Sequence, residues 1–378
     1  MTEPPGTERP RPRRRWAVVA AGLFALVVAA AFAVRPSAEP ETATAARCAG
    51  PAHRPPRAKP ATRDGRIVDG KGEPLLLRGF NVIPVWSDKP GRSWEAEDYA
   101  CIAAAGFNVV RFAFYWDDLE PERGRFDATH LATLDRAVAR AKAAGLYVVL
   151  DPIHLFRDDS RVPEWARTGD AVRDVELNAR GYLEMLARRY AGEPAVAAYD
   201  PVNEPPTDDQ DRVLAMYATA AGWIRAIDQR TIVLAEPARG DSSLAGHDLG
   251  RLAAAGNVVV SPHDYYAGGA GDGYDENGRQ AGVQTWNEVD GYPAPDPSAL
   301  EEHLLVNLRA ARAAGLPVWI GEFGINPQSA NAERWIDEKV ALFKRHGLGY
   351  AWWAYEAGDG LAALDGPRRF KPFVQRLL

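Results

Sequence analysis

Residues 64–378 read as a single α/β domain, a (β/α)8 TIM barrel. Three observations lead there. Short apolar runs alternate with amphipathic stretches along the whole region, the pattern of βαβ units and a parallel sheet. Eight such runs can be counted, each followed by a stretch with helical spacing, and eight strands with eight crossovers suit a closed barrel better than an open doubly wound sheet. Neither a G-x-G-x-x-G turn after the first run nor a P-loop is present, so a nucleotide site has no support.

An entry hairpin comes first, with 66–68 turning at Asp69-Gly70-Lys71-Gly72 into 75–81, the first barrel strand. The other strands are expected at 108–114, 147–151, 196–203, 231–235, 258–263, 317–322 and 348–353. Helices are expected near 94–105, 127–144, 177–190, 210–227, 243–254, 298–314 and 331–345, with a short closing piece at 370–378. Gly106, Gly145, Gly315 and Gly347 stand where helices should end. Residues 264–297 break the rhythm: they are rich in Gly, Asp, Tyr and Pro and include Trp286. Loops this long in compact domains are usually functional, and this one follows the sixth strand, so it is expected to wall a pocket on the catalytic face.

The chain is 46% hydrophobic and 25% charged, an ordinary globular composition. Charge is uneven. Of 45 Lys/Arg and 51 Asp/Glu, residues 1–63 hold 11 and 4, leaving 34 and 47 in residues 64–378. The folded part is therefore acidic, which argues against a nucleic-acid partner. Arg11, Arg13, Arg14 and Arg15 precede an uncharged apolar run, residues 16–34, long enough to span a bilayer as a helix. Residues 1–34 are expected to be a signal peptide or a retained transmembrane anchor; Ala31-Phe32-Ala33 fits a cleavage site, and the two alternatives stay open. Either would export the domain. Residues 35–63, rich in Ala, Pro, Thr and Arg, read as a disordered linker. Cys48 in that linker and Cys101 in the domain could form a disulfide outside the cell, or Cys101 could be a buried thiol.

Two of the apolar runs stop at a glutamate. The fourth ends Tyr199-Asp200-Pro201-Val202-Asn203-Glu204-Pro205, and the seventh reads Val318-Trp319-Ile320-Gly321-Glu322-Phe323-Gly324. A β/α barrel places both on its C-terminal face, where such folds build their sites. Facing carboxylates are the minimum equipment for breaking a glycosidic bond. With these motifs, residues 64–378 resemble the retaining β-glycosidases of glycoside hydrolase family five, the cellulase family.

The resemblance implies that Glu204 is the acid/base and Glu322 the nucleophile. It implies that Arg111, at the end of the second strand, holds the nucleophile ionised, and that Asn203 binds the sugar 2-hydroxyl. His263 and Tyr265 match a His-x-Tyr at the sixth strand, the histidine binding substrate and the tyrosine the nucleophile. Trp353 matches the sugar platform at the eighth strand, and Trp352 should then point the other way. The third strand departs from the pattern: Asp151-Pro152-Ile153-His154 has two residues between Asp and His where one is common, which re-aims His154. Trp86, Trp116 and Trp165 fall in other βα loops and could stack on sugars or pack internally.

No metal or cofactor is expected, since the seven His are scattered and no H-E-x-x-H is present. The expected partner is a carbohydrate, met by an exported monomer. An endo-β-glucanase is the leading expectation. Mannan, a glycosphingolipid, a transglycosylase with the same glutamates, and a sugar-binding barrel without turnover are the alternatives.

Overall fold

The computed structural model describes residues 54–82, 95–155, 161–269, 273–285, 292–356 and 360–378. The apolar run at 16–34, Cys48, Trp86 and Trp286 lie outside the described residues. Among those described, no helix is long and apolar enough to cross a membrane.

Eight parallel strands form the barrel: β1 (Arg78–Val82), β2 (Val109–Ala113), β3 (Tyr147–Asp151), β4 (Val196–Tyr199), β5 (Ile232–Ala235), β6 (Val258–Val260), β7 (Trp319–Phe323) and β8 (Gly349–Trp352). The ladder runs β7-β8-β1-β2-β3-β4-β5-β6. Parallel bridges Val260↔Val318 and His263↔Glu322 join its two ends. Helices α1 (Ala96–Ala104), α2 (Ala128–Ala143), α3 (Arg180–Tyr190), α4 (Gln210–Arg225), α5 (Gly250–Ala255), α6 (Pro297–Ala313) and α7 (Ala332–His346) cross between successive strands.

Local chemistry sets the helix ends. Asp127 accepts from the amides of Thr129 and His130 to cap α2, and Asp296 caps α6 with Pro297 in its first turn. Gly347 closes α7 at φ 68°, a left-handed turn that other residues enter at a cost.

Strand alternation divides the core in two. Leu77, Val109, Val149, Ile232, Leu234, Val259, Trp319 and Ala351 fill the lower barrel. Phe80, Val110, Phe112, Val148, Leu150 and Ile320 face outward into the layer under the helices. The same period turns Asn81, Arg111 and Asp151 inward, one layer above the apolar plug.

Several elements differ from expectation. The ordered domain begins before residue 64: Ala61–Arg63 pairs with Arg66–Val68, and Lys59 Nζ donates to the Tyr190 and Val196 carbonyls at 3.0 and 3.1 Å. The end of the supposed linker is thus part of the barrel floor. The fourth and sixth ladders are shorter than expected because Pro201 and Pro262 have no N–H to donate. The helix expected from 243 starts only at Gly250, because tertiary partners hold the backbone before it; Leu244 donates to Asn307 Oδ1 at 2.7 Å. The stretch before α3 is a separate helix, Ala171–Asn178, broken at Ala179, and the closing piece is a 3-10 helix, Pro372–Leu377. Cys101 is disulfide-bonded. The chain has one other cysteine, Cys48, outside the described residues.

Candidate active site

The upper barrel holds one cation among several acids. Arg111 is fully buried. Its Nε donates to Asp200 at 2.8 Å, its Nη1 to Asn81 and Glu322 at 2.9 Å each, and its Nη2 to Asn203 at 2.8 Å and Glu236 at 3.1 Å. Asp151 lies 3.1 Å from the same Nη2. Burial opposes the charge, but Asp151, Asp200, Glu322 and Glu236 overcome it and hold the guanidinium ionised. The expected Arg111–Glu322 pair is present, as one spoke of a larger hub.

Glu322 sits where the register of β7 against β8 shifts, between Ile320 and Phe323. Such an irregularity re-aims a side chain. The Tyr265 hydroxyl donates to Glu322 Oε2 at 2.8 Å, as the resemblance implied. Burial raises the Glu322 carboxyl above the usual range; His263 and Arg111 pull it down, while Glu204 pushes it up.

Glu204 has φ 42°, left-handed for a residue with a side chain. Pro205 disfavours the right-handed region for the residue before it. The Glu204 amide is tied to Glu236 Oε2 at 2.7 Å, and its Oε1 meets His263 Nδ1 at 2.9 Å. Gly240 lies beneath at φ 77°, where a Cβ would come within 2.8 Å of Glu204 Cγ and 2.9 Å of His263 Nδ1. That position has no room for a side chain.

His263 was expected at the sugar. Its side chain is instead fully buried, 3.3 Å from Glu236 and 3.5 Å from Glu322 besides Glu204. Pro262 follows the end of β6, and the ring packs against both glutamates, Glu204 and Glu322. Burial would push its pKa down, but Glu236, then Glu322 and Glu204, hold it well above the usual range. One carboxylate oxygen each from Glu204 and Glu322 and one ring nitrogen of His263 lie within 4.8 Å of one another. These atoms are spaced to hold a cation, and the raised pKa of His263 makes a proton the competitor of a metal at that ring.

Asn203 accepts from Arg111 and gives one amide hydrogen to the Leu155 carbonyl at 3.0 Å, so its second amide hydrogen is the group that can meet a hydroxyl. His154 is buried; its Nδ1 bonds Asp151 at 2.6 Å, and its ring lies parallel to Trp353, with centroids 5.5 Å apart. The extra residue in the third-strand motif thus leaves His154 as the backing of Trp353. Trp353 is half-buried at the end of β8, whereas Trp352 is fully buried and donates to the Leu361 carbonyl. The alternation placed the pair correctly.

Trp116, Trp165 and the described part of the long loop make packing contacts. Trp116 is buried against Tyr182 and donates to Glu120, and Trp165 donates to the Glu120 carbonyl, so both brace the loop after β2. Tyr266 and Tyr274 stack on the two sides of His303 in α6, and Tyr292 donates to the Thr285 carbonyl. The expected wall is, in its described part, a segment clamped to α6; of its tyrosines, Tyr265 is the one at the glutamates.

Glu236 and Asp200 were missed. Leu234-Ala235-Glu236-Pro237 is an apolar run closing on Glu-Pro, the same signal that marked Glu204. Asp200 is pushed well above the carboxylate range by burial and then by Glu236, with Arg111 opposing. Its Oδ1 has no hydrogen-bond partner among the described residues.

A (β/α)8 barrel with two glutamates converging from β4 and β7 is the architecture of a retaining β-glycosidase. A family model, Cellulase (glycosyl hydrolase family 5), matches residues 68–359, and the chain belongs to that family. It is 26% identical over 338 residues to the major extracellular endoglucanase of Xanthomonas campestris pv. campestris, covering 78% of this chain and 65% of that one. It is 32% identical over 108 residues to endoglycoceramidase I of Rhodococcus hoagii, covering 26% and 22%. The chain thus spans less than two thirds of either relative. Among solved structures, an endogalactoceramidase superposes with TM-score 0.62 at 26% identity, over 79% of this chain and 75% of that one. Endo-glycoceramidase II from Rhodococcus sp., in a ganglioside GM3 complex, has TM-score 0.65 at 20% identity, over 83% and 81%.

Proposed function

We propose that this protein hydrolyses a β-linked glycoside with retention of configuration. The carrying observation is that a Glu204 and a Glu322 carboxylate oxygen lie within 4.8 Å of each other. That spacing suits the ~5–5.5 Å separation of a retaining pair and leaves too little room for the water that inversion needs between sugar and base. Glu322 attacks the anomeric carbon while Glu204 gives its proton to the departing oxygen. The glycosyl ester on Glu322 is then cleaved by a water that gives its proton to Glu204, which restores both groups. Arg111 and Tyr265 aim Glu322 and stabilise its carboxylate before attack and on release. Trp353 offers the platform for the sugar.

The substrate reading is an endo-acting β-glucanase, supported by the likeness to the endoglucanase. A second reading, the sugar–lipid bond of a glycosphingolipid, is supported by the likeness to the endogalactoceramidase structure. The arginines and apolar run at the N-terminus support action outside the cytoplasm, and we propose an exported monomer, checked by fractionation and by size-exclusion chromatography of the exported domain.

Incubation with aryl β-glycosides, β-glucans, β-mannan and glycosphingolipids tests both levels. Retention predicts a first-formed β-hemiacetal by NMR; an initial α-product, or equal rates for wild type and Glu322→Gln, would sink the assignment. Release of ceramide without β-glucan cleavage would move the substrate to the second reading. Sugar-to-sugar transfer exceeding hydrolysis would make the enzyme a transglycosylase.

A further inference from the structure

Glu236 is fully buried at the end of β5. It is closed off from solvent, yet it touches the Glu204 amide, His263 and Arg111. Oε2 accepts from the Glu204 amide at 2.7 Å, which ties down a backbone in the left-handed region. Oε1 lies 3.3 Å from His263 Nε2, the far side of the ring whose Nδ1 faces Glu204 Oε1 at 2.9 Å. The same Oε1 accepts from Arg111 Nη2 at 3.1 Å. Both the main chain and the carboxyl of Glu204 are therefore set by one buried anion.

Resting on the double-displacement reading above, we propose that Glu236 is the positioning residue of the acid/base. It clamps the strained Glu204 backbone directly and, through His263, turns a hydrogen-bond donor toward the Glu204 carboxyl. A buried, unpaired carboxylate would be costly; here the charge is balanced by Arg111 and by the imidazole. The strain at Glu204 is of the kind that persists only where the surroundings over-determine it, and Glu236 supplies that determination. Glu322 shares Arg111 and His263 with Glu236 but also has Tyr265, which does not depend on Glu236, so loss of the Glu236 charge should fall more on proton transfer than on attack.

Leaving-group dependence separates these effects. A 2,4-dinitrophenyl β-glycoside departs without a proton, whereas an alkyl or sugar leaving group needs one. In Glu236→Gln, kcat/KM should fall ~10²-fold or more for the unactivated substrate and less than ~10-fold for the activated one. Trapping with an activated 2-deoxy-2-fluoro glycoside, which needs only the nucleophile, counts competent sites in each preparation. Glu236→Asp keeps the charge on a shorter arm and serves if the glutamine variant does not fold; the same unequal loss is expected, with a smaller gap. Equal losses for both leaving groups, after correction for trapped sites, would overturn the proposal, as would wild-type rates. A wild type that turns over neither substrate would instead remove the glycosidase reading itself, before any variant is compared.

Discussion

Arg111→Met is expected to show that one guanidinium holds the upper barrel together, and that its value depends on pH. The substitution deletes the donors to Asp200, Glu322 and Glu236, the contact with Asp151, and the bonds to Asn81 and Asn203. Removing one partner of a single buried ion pair costs about 3–5 kcal/mol. Four carboxylates lose their cation here, so at pH 7 the loss should be at least ~3–5 kcal/mol, a large part of the ~5–15 kcal/mol that holds a typical domain. The variant can recover part of this by binding protons. Without Arg111 the folded-state pKa values of Glu322 and Asp200, already raised by burial, rise further above their unfolded values. The folded variant then binds more protons than the unfolded chain, and its stability falls as pH rises. Urea unfolding at pH 5 and pH 8 should therefore show a deficit against wild type that is clearly larger at pH 8. In kcat/KM, the acid limb assigned to Glu322 should move up by ~1–3 units, the usual effect of losing an adjacent opposite charge. A deficit below ~1 kcal/mol, or one that does not change with pH, would refute the hub as described.

Tyr265→Phe removes the 2.8 Å hydrogen bond to Glu322, and a bond to a charged acceptor is worth ~1.5–3 kcal/mol; kcat/KM should fall ~10- to 100-fold, with little change in Tm. Trp352→Ala should cost ~3–5 kcal/mol in unfolding experiments because the ring is fully buried. Trp353→Ala should leave Tm nearly unchanged and raise KM roughly 5- to 10-fold; an interchange of these two outcomes would reverse the register of β8. Lys59 has its pKa pushed down to about 8, chiefly by burial, with Asp228 opposing. Between about 8 and the ordinary 10.5 the unfolded chain holds more protons, so this residue makes stability rise with pH across that window, by about 3 kcal/mol in all. Lys59→Met should remove that slope in urea titrations at pH 7.5 and 10; an unchanged slope would mean that Lys59 stays hydrated and apart from the barrel floor.

Glu204 and Glu322 stood out because each closes a motif at the end of an apolar run, Asn203-Glu204-Pro205 and Gly321-Glu322, and a parallel sheet places such run ends on one face. Trp353 was assigned to the sugar through the family resemblance, and period-two alternation then turned Trp352 the other way. Glu236 carried the same Glu-Pro signal as Glu204 and was not singled out. His263 was placed on the right strand but given the wrong neighbours: a sequence shows that a histidine ends a strand, not that three carboxylates will enclose it. The packing of Tyr266 and Tyr274 against α6 was not legible for a related reason. Aromatic residues suit a sugar wall and a helix surface equally, and His303, which captures Tyr266 and Tyr274, lies far along the chain.

By itself, the amino-acid order determined the alternation of strands and helices, the eight-fold count, and the two carboxylates at the ends of β4 and β7. These are local properties, written in hydrophobic period and in the residues that stop each run. Tertiary structure decided the distance between the carboxylates, the upward push on the His263 and Asp200 pKa values and the contact of Glu236 with the Glu204 amide. Each of those depends on which run ends meet when the barrel closes, and on the loss of water around them; neither closure nor desolvation is a property of any one segment.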